Sequence, residues 1–366
     1  MRFWLLLLMS FTSILTAAEQ RIYLGCSQKD DVASGIFLTS LNSETGVLQP
    51  LQRVATTENP SFLTLSAKGD FLYSVAETAE GAVVAWRVEK EGSLQKLNEQ
   101  PAGGKGPCHV TLSPSGRVLL VANYSSGNIA AFPIQKNGSL GPQSAFFQLT
   151  GSGPNPQRQK QPHAHGIYCD STGKWVYVTD LGTDRVWIFR LDAATGTLTP
   201  NEPAFASLPP GSGPRHLAFS EDATYAYVNG EMSLAVTVLR HDSTTGALEP
   251  VSTIPVFSPD MKSSADTAEV ALHPNGKTLY LSTRGYSSIS AFNVSSDGGL
   301  TLLENVSLPV NGPRHFSVSP DGKWLVVPGQ NSHQVTVLAI DSTTGKIQPT
   351  GHIIEANGPM CAVFAP

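Results

Sequence analysis

The segments GPRHLAFSEDATYAYVNGE (residues 213–231) and GPRHFSVSPDGKWLVVPGQ (residues 312–330) decide the fold of this chain, because they are two copies of one pattern. Each copy holds a short apolar run, a turn, and a second apolar run rich in Val and Tyr or Trp. This arrangement predicts a β-hairpin. Further copies, some of them looser, begin at Asn59, Gly106, Ala164 and Asp266.

A second pattern lies between the hairpins: a turn is followed by Gly, any residue, and then Leu or Ile. It occurs with spacings of 46, 46, 58, 50, 52 and 47 residues at Gly46, Gly92, Gly138, Gly196, Gly246, Gly298 and Gly345. A seventh hairpin is divided between the two ends of the chain. RIYLGC (residues 21–26) supplies one of its strands and GPMCAVFAP (residues 358–366) supplies the other.

Seven repeats of about 50 residues, each with four strands, predict an all-β fold, a seven-bladed β-propeller. Pairing of the N- and C-terminal strands closes the ring and removes an open sheet edge. A solenoid or two sandwiches would not explain why the two termini are complementary halves of one unit. We expect one domain over residues 19–366. Cys26 and Cys361 fall on neighbouring strands of the closing blade, where a disulfide is one alternative.

The first 18 residues have the features of an export signal. Arg2 precedes an apolar run over residues 3–15, and the small residues Thr16, Ala17 and Ala18 come before Glu19. An uncleaved anchor is the alternative, but the apolar run is short for a membrane span. We therefore expect a signal peptide over residues 1–18 and a periplasmic or secreted protein, or a cytoplasmic one if the signal is not functional.

The composition excludes several classes of partner. The chain has 29 acidic and 24 basic residues and a formal net charge of -5, so nothing favours nucleic acid, or a membrane after signal cleavage. We expect a monomer without a cofactor. The four cysteines form no C-x-x-C pair, which argues against zinc. Interleaved arginines argue against a metal among the acidic residues Glu77, Asp180, Glu231 and Glu269.

The repeat predicts which residues meet at the central channel. In a propeller the first strand of each blade lines the channel, and its start lies beside the end of the second strand. The first aligned column holds Ser61, Cys108, His165, Arg215, Ala268, Arg314 and Met360. The next column holds Phe62, His109, Gly166, His216, Glu269, His315 and Cys361. The second strands end at Glu77, Tyr124, Leu181, Glu231, Arg284 and Gln330, with Asn123 and Asp180 just before.

Charged and titratable side chains therefore collect at one mouth, and His163, in the loop that lengthens the third repeat, should lie over it. Histidines repeated in one column have two interpretations, as ties between blades or as functional groups. The unrepeated His165, Glu231 and Arg284 favour function. Glu269 and Arg284 share a blade and are expected to pair. We expect solvated positions in turns or outer strands for His241, His273, His333 and His352.

The residue types at the mouth indicate the chemistry. Arg215, Arg284 and Arg314 indicate an anionic ligand, because guanidinium groups bind carboxylates and phosphates. Glu231 among arginines should have a low pKa and would orient water, while His165 or His163 could act as base or acid. The chain has neither a G-x-S-x-G motif nor a P-loop. Water attack on an activated ester, or carboxylate addition to a double bond, fits best.

The loop PNPQRQKQPHAHG (residues 154–166), the GPRH segments and VNGE (residues 228–231) resemble the β-propeller lactonases of the bacterial 6-phosphogluconolactonase type. The fungal carboxy-cis,cis-muconate cyclases are relatives of that family, and the resemblance runs from about Arg21 to the C-terminus. It implies a catalytic set of a loop His, a GPRH Arg, a Glu 16 residues later and a further Arg. Those positions are His165 or His163, Arg215, Glu231 and Arg284.

The resemblance implies hydrolysis of 6-phospho-D-glucono-1,5-lactone. We expect a small anionic lactone or carboxylate to contact His109, Asn123, His216, Glu269, Arg314 and His315. Arg215 would stabilise the oxyanion, and Arg284 with Arg314 would hold the anionic end. Export conflicts with a cytoplasmic sugar phosphate, so an unphosphorylated lactone or an aromatic-degradation intermediate is an alternative. A muconate-type lactonising enzyme, or a non-catalytic propeller that binds an anion or a protein, also remains open.

Overall fold

A computed structural model of the protein describes residues 19–27, 34–257 and 265–366. These residues form 28 strands in seven four-stranded antiparallel sheets, which confirms the predicted all-β, seven-bladed propeller. Within the described ranges no helix is long and apolar enough to cross a membrane. The predicted signal peptide, residues 1–18, lies outside the described residues.

The blades are numbered here in chain order, and the strands of the first four have the following bounds. Blade 1 joins β28 (Pro359–Phe364) to β1 (Glu19–Cys26), β2 (Gly35–Asn42) and β3 (Gln52–Ala55). Blade 2 contains β4 (Leu63–Leu65), β5 (Phe71–Ala76), β6 (Ala82–Val88) and β7 (Leu94–Pro101). Blade 3 contains β8 (Pro107–Leu112), β9 (Val118–Asn123), β10 (Asn128–Pro133) and β11 (Ala145–Gln148). Blade 4 contains β12 (Ala164–Cys169), β13 (Trp175–Asp180), β14 (Arg185–Asp192) and β15 (Thr197–Ser207).

The last three blades follow the same order. Blade 5 contains β16 (Pro214–Phe219), β17 (Tyr225–Gly230), β18 (Ala235–His241) and β19 (Leu248–Pro255). Blade 6 contains β20 (Thr267–Leu272), β21 (Thr278–Thr283), β22 (Ser288–Val294) and β23 (Leu300–Ser307). Blade 7 contains β24 (Ser317–Val318), β25 (Trp324–Gly329), β26 (Gln334–Ile340) and β27 (Ile347–Glu355). The innermost strands are β28, β4, β8, β12, β16, β20 and β24.

Pairing of the chain ends closes the ring as predicted. Strand β28 runs antiparallel to β1, with Leu24 opposite Ala362. Cys361 lies opposite Gly25, whereas Cys26 lies opposite Pro359. The two cysteines pack in different hydrophobic clusters and both are free thiols, so the closing blade carries no disulfide.

The apolar core of the described residues is divided into seven clusters, and each cluster joins two neighbouring blades. Between blades 3 and 4, for example, Leu120 and Ile129 pack with Val178 and Phe189. A single blade therefore cannot bury its apolar faces alone, and hydrophobic burial stabilises the closed ring as a whole.

Tight turns account for the recurring glycines. The seven glycines of the second pattern all have φ between 72° and 87°, a backbone conformation that an L side chain rarely adopts. Ala223 occupies the hairpin turn of blade 5 with φ 55°, where the corresponding turns of blades 2, 3, 4, 6 and 7 carry glycine.

Tyrosine hydroxyls tie neighbouring blades together, which the sequence did not predict. Tyr23, Tyr73, Tyr177 and Tyr280 donate to the carbonyls of the turn glycines of the following blades, at 2.9, 3.0, 3.0 and 2.9 Å. These glycines are Gly92, Gly138, Gly246 and Gly345.

The expectation that His241 and His273 are solvated was wrong. His241 is 5% exposed, and its Nε2 lies 2.7 Å from the Tyr177 hydroxyl. His273 is 6% exposed, and its Nε2 lies 2.9 Å from the Gly322 carbonyl. Both rings fill the space between blades, where the turn of one blade packs against the next. His333 is exposed and His352 is half-buried.

Candidate active site

The mouth of the channel is built where the innermost strands begin and the second strands end. The pairing of β16 with β17 has an irregularity between Pro214 and Leu217, and comparable irregularities occur in β8, β12 and β20. Such bulges re-aim side chains at the rim of a sheet. In blade 5 the irregular segment holds Arg215 and His216, and Glu231 follows the paired strand directly.

Three guanidinium groups surround the Glu231 carboxylate. Arg158 Nη2 donates to Oε1 at 2.7 Å, while Arg215 Nε and Arg284 Nη2 each lie 3.1 Å from Oε2. Glu231 is 3% exposed. Burial by itself raises the pKa of this carboxyl, but Arg284, Arg215 and Arg158 together hold it below its usual value. The low pKa that the sequence predicted has this physical cause.

Oxygen Oε2 of Glu231 faces charges without making a hydrogen bond. The nearby Arg215 Nε is likewise buried without a hydrogen-bond partner in the described structure, so the 3.1 Å contact is a charge pair with poor hydrogen-bond angles. This buried oxygen therefore keeps unused capacity to accept a hydrogen bond. His165 Nε2 lies 3.9 Å from the same oxygen.

His165 is a neutral imidazole in this setting. The residue is 4% exposed, and burial together with the charges of Arg215 and Arg314 lowers its pKa well below the usual value. A neutral imidazole with a free nitrogen can accept a proton. The structure thus places a proton acceptor beside a carboxylate that stays ionised.

Arg158 was not among the site residues predicted from the sequence. It belongs to the long loop before β12, and Gln159 fixes that loop by donating to Leu181 O at 2.8 Å and to Asp184 Oδ1 at 2.7 Å. Arg158 Nη2 also lies 3.3 Å from the Tyr124 hydroxyl. Alignment of the repeats could not find this residue, because the loop lengthens one repeat and has no counterpart in the others. The sequence feature that could have indicated Arg158 is its position in the loop over residues 154–166, which resembles that of the β-propeller lactonases.

His163 lies at the rim and packs against blade 3. Its ring stacks on Tyr124 with centroids 4.5 Å apart, and its Nδ1 lies 2.9 Å from the Tyr124 carbonyl oxygen. Asp180, below it, accepts hydrogen bonds from the His163 backbone at 2.7 Å and from Trp187 Nε1 at 3.1 Å. Asp180 therefore orders the loop and is not presented to the channel.

A layer of aromatic rings closes the channel below the mouth. The Phe62 ring centroid lies 4.1 Å from that of His109, 5.9 Å from His216 and 5.5 Å from His315. The three histidines are between 2% and 8% exposed. The predicted convergence of this column is present in the structure, but the side chains form a floor rather than an open binding surface.

Glu269 completes the floor and does not pair with Arg284, contrary to our expectation. Its Oε2 lies 2.9 Å from His216 Nδ1 and 3.3 Å from His315 Nε2. Burial raises the pKa of Glu269 to about 8, with Arg215 opposing the shift. Burial also lowers the pKa of His315 to about 3. At neutral pH the floor therefore holds a protonated carboxyl group and neutral imidazoles.

Two further ion pairs lie at the mouth, and one of them shares Arg284 with Glu231. Arg314 Nη2 lies 3.9 Å from Glu77 Oε2, and Arg284 Nη2 lies 3.7 Å from Asp266 Oδ2. Asn123, predicted at the mouth, is 0% exposed and donates to the Ala102 carbonyl at 3.0 Å. This hydrogen bond fixes the segment that connects blades 2 and 3. Among the described residues, no group of three or more His, Cys, Asp or Glu is arranged to hold a metal ion.

The family model described as "Lactonase, 7-bladed beta-propeller" matches residues 21–364. A Bacillus subtilis protein named 6-phosphogluconolactonase is 30% identical over 335 residues, which cover 91% of this chain and 95% of the relative. A Formosa agariphila protein of the same name is 30% identical over 345 residues, covering 92% of this chain and 97% of the relative.

A solved structure is likewise similar over almost the whole chain. The periplasmic gluconolactonase of Pseudomonas aeruginosa is 30% identical, with a TM-score of 0.91, over 95% of this chain and 99% of that one. The similarity therefore extends over nearly the whole chain.

Proposed function

The chain belongs to the lactonase family of seven-bladed β-propellers, and from this premise we propose that it hydrolyses a sugar lactone at the channel mouth. The observation that carries the proposal is the Glu231 carboxylate, buried and ionised among three guanidinium groups, with Oε2 free beside a neutral His165. Such a site can orient a water molecule and accept its proton without forming a covalent intermediate.

The first step is attack of water on the lactone carbonyl carbon. Glu231 Oε2 accepts a hydrogen bond from this water and orients it, because the surrounding arginines keep the carboxylate ionised. His165 Nε2, 3.9 Å away, takes the proton as the carbon–oxygen bond forms. The carbonyl electron pair moves to its oxygen and gives a tetrahedral oxyanion.

Guanidinium groups stabilise that oxyanion. Arg284 is suited to this role because its side chain is 23% exposed and reaches Glu231 from the channel side. Arg215 is 1% exposed, and its Nη1 already donates to the Ala268 carbonyl at 2.6 Å. We therefore assign Arg215 to holding Glu231, rather than to the oxyanion contact expected from the sequence.

Collapse of the intermediate completes the reaction. The bond between the carbonyl carbon and the ring oxygen breaks, and the ring oxygen takes the proton from His165. The product is an open-chain aldonic acid, which ionises at neutral pH. The arginines that stabilise the oxyanion then face a carboxylate, which guanidinium groups bind well.

The test is hydrolysis of δ-gluconolactone and of 6-phosphogluconolactone by the mature protein without added metal, corrected for spontaneous hydrolysis. Acid release above the uncatalysed rate, lost in Glu231→Gln, supports the proposal. A carboxymuconate in the same panel tests the lactonising alternative. Binding of gluconate without turnover of any of these compounds would favour the non-catalytic alternative.

We propose that the protein is exported, on the basis of the signal-like residues 1–18. A periplasmic relative of similar structure supports this proposal. N-terminal sequencing of the protein from the native host should find Glu19 at or near the start, in a fraction outside the cytoplasm. An intact N-terminus in the cytosol would contradict export.

A further inference from the structure

The pair of Glu77 and Arg314 joins blades 2 and 7 at the mouth, whereas Glu231 follows β17 of blade 5. Glu77 follows β5 of blade 2, and Arg314 precedes β24 of blade 7. Their side chains are 25% and 17% exposed, and Arg314 Nη2 lies 3.9 Å from Glu77 Oε2. This distance is too long for a direct hydrogen bond. Both charged groups therefore neutralise each other while keeping hydrogen-bonding capacity for a ligand.

The backbone of Glu77 is held firmly in place. Its amide donates to the Asn59 carbonyl at 3.0 Å, and its own carbonyl accepts from Asn59 Nδ2 at 2.7 Å. Asn59 adopts φ 35°, an uncommon conformation for a residue other than glycine. The carboxylate thus projects from a rigid position at the mouth.

Acceptor atoms without partners collect on this side. Glu77 Oε2 and Ser61 Oγ are buried and make no hydrogen bond within the described part of the chain. The Ser61 hydroxyl can donate as well as accept, whereas the Glu77 carboxylate, on a side chain that is 25% exposed, only accepts and so matches the hydroxyl groups of a sugar. A phosphate at neutral pH, in contrast, presents mainly acceptor oxygens and about 1.5 to 2 negative charges.

The remaining arginines offer a phosphate little in compensation. Arg158, Arg215 and Arg284 surround Glu231, where the reaction is proposed to occur. Arg314 is the cation on the Glu77 side, and Glu77 already neutralises it. Within the described residues, these ion pairs thus bring four guanidinium groups together with three carboxylates at the mouth. The carboxylates belong to Glu77, Glu231 and Asp266.

We propose that Glu77 is a specificity-determining residue, which neutralises Arg314 and accepts a hydroxyl hydrogen bond so that the site selects a sugar lactone without a phosphate group. The inference rests on the proposed lactonase function. It replaces the expectation that Arg314 holds an anionic end of the substrate.

The experiment compares kcat/KM for 6-phosphogluconolactone and δ-gluconolactone in the wild type and in Glu77→Gln. The wild type should prefer the unphosphorylated lactone. Glu77→Gln should raise the ratio of phosphorylated to unphosphorylated kcat/KM by about tenfold, because the phosphate then meets an uncompensated Arg314. The increase should be smaller when Arg314→Met is combined with it.

Asp266→Asn is the matched control, because it removes one negative charge from the same mouth but lies beside Arg284. It should change the ratio much less than Glu77→Gln does. An equal change would assign the preference to the net charge of the mouth and overturn the role of the Glu77 pair.

Calorimetry with the products separates this inference from the proposed function. Glu77→Gln should bind 6-phosphogluconate more tightly relative to gluconate than the wild type does. That result in a protein that hydrolyses neither lactone would support the role of Glu77 and overturn the proposed function. Hydrolysis with an unchanged ratio in Glu77→Gln, or a wild type that prefers the phosphorylated lactone, would overturn the inference alone.

Discussion

Arg158 Nη2 donates to Glu231 Oε1 at 2.7 Å, which joins a loop to the residue directly after strand β17, 73 residues away in the chain. The contact is short and charge-assisted, and such hydrogen bonds are stronger than neutral ones. It connects the inserted loop of blade 4 to the carboxylate at the centre of the proposed reaction. The loop is thereby part of the site, although it lies outside the repeat.

Replacing Glu231 with Gln keeps the shape of the side chain and removes its charge. We expect kcat for lactone hydrolysis to fall by about 10²–10⁴-fold, because the water loses the carboxylate that orients it for proton transfer to His165. The variant leaves the buried Arg215 without its counter-ion, so the folded fraction must be measured by circular dichroism beside the activity. Near-wild-type kcat in the folded variant would exclude Glu231 and direct attention to His163 and His165.

Arg158→Met should raise the pKa of Glu231, because it removes a hydrogen bond and a positive charge from the carboxylate. If the ionised carboxylate is required, activity falls as the pH drops through this pKa. In the wild type the acid limb of the kcat/KM profile then lies below the usual carboxyl value of 4.5. In Arg158→Met the limb moves to higher pH.

Lys160→Met is the control for that variant, since Lys160 is an exposed cation of the same loop. Its profile should match that of the wild type. The wild-type profile should also lack an inflection near pH 6.5, because His165 has a pKa well below that value. An inflection there would show that the titrating base is a different group.

Glu269 should make the protein less stable as the pH rises. Its pKa is raised from 4.5 to about 8 in the folded protein, so the folded state binds a proton that the unfolded state has released. This contribution is complete below the unfolded pKa and is lost as the pH rises through the folded pKa. Urea denaturation at about pH 5 and about pH 8 should show a smaller loss of unfolding free energy in Glu269→Gln than in the wild type. Equal losses in the two proteins would contradict a protonated Glu269.

His241→Ala should lower the free energy of unfolding by about 1–3 kcal/mol, because the ring is buried and lies 2.7 Å from the Tyr177 hydroxyl. Arg240→Ala at the neighbouring position is the comparison. Arg240 and its partner Glu249 are 60% and 72% exposed, and exposed pairs contribute little. Denaturation curves that coincide for the two variants would show that the His241 contact is energetically unimportant.

The number of blades, their order and the closure of the ring could all be predicted from the repeats in the sequence. Each copy of the hairpin pattern is local, and the turn glycines such as Gly46 and Gly345 mark a period that is visible without contacts. Once the period is known, the position of a residue within its repeat places His165, Arg215 and Glu231 at the same end of the channel. That step needs only the geometry of strands, because residues in the same aligned column occupy equivalent positions in their blades.

The contacts between side chains and the depth of their burial became visible only in the folded protein. Glu269 and Arg284 share a blade, yet Glu269 contacts His216 and His315 while Arg284 reaches Glu231. The physical reason is that side-chain direction depends on the bulges and on the distance across the channel, which bring together residues from different blades. Arg158 could not be placed from the sequence for a related reason. The inserted loop has no counterpart in the other repeats, so its packing alone decides where the Arg158 side chain lies.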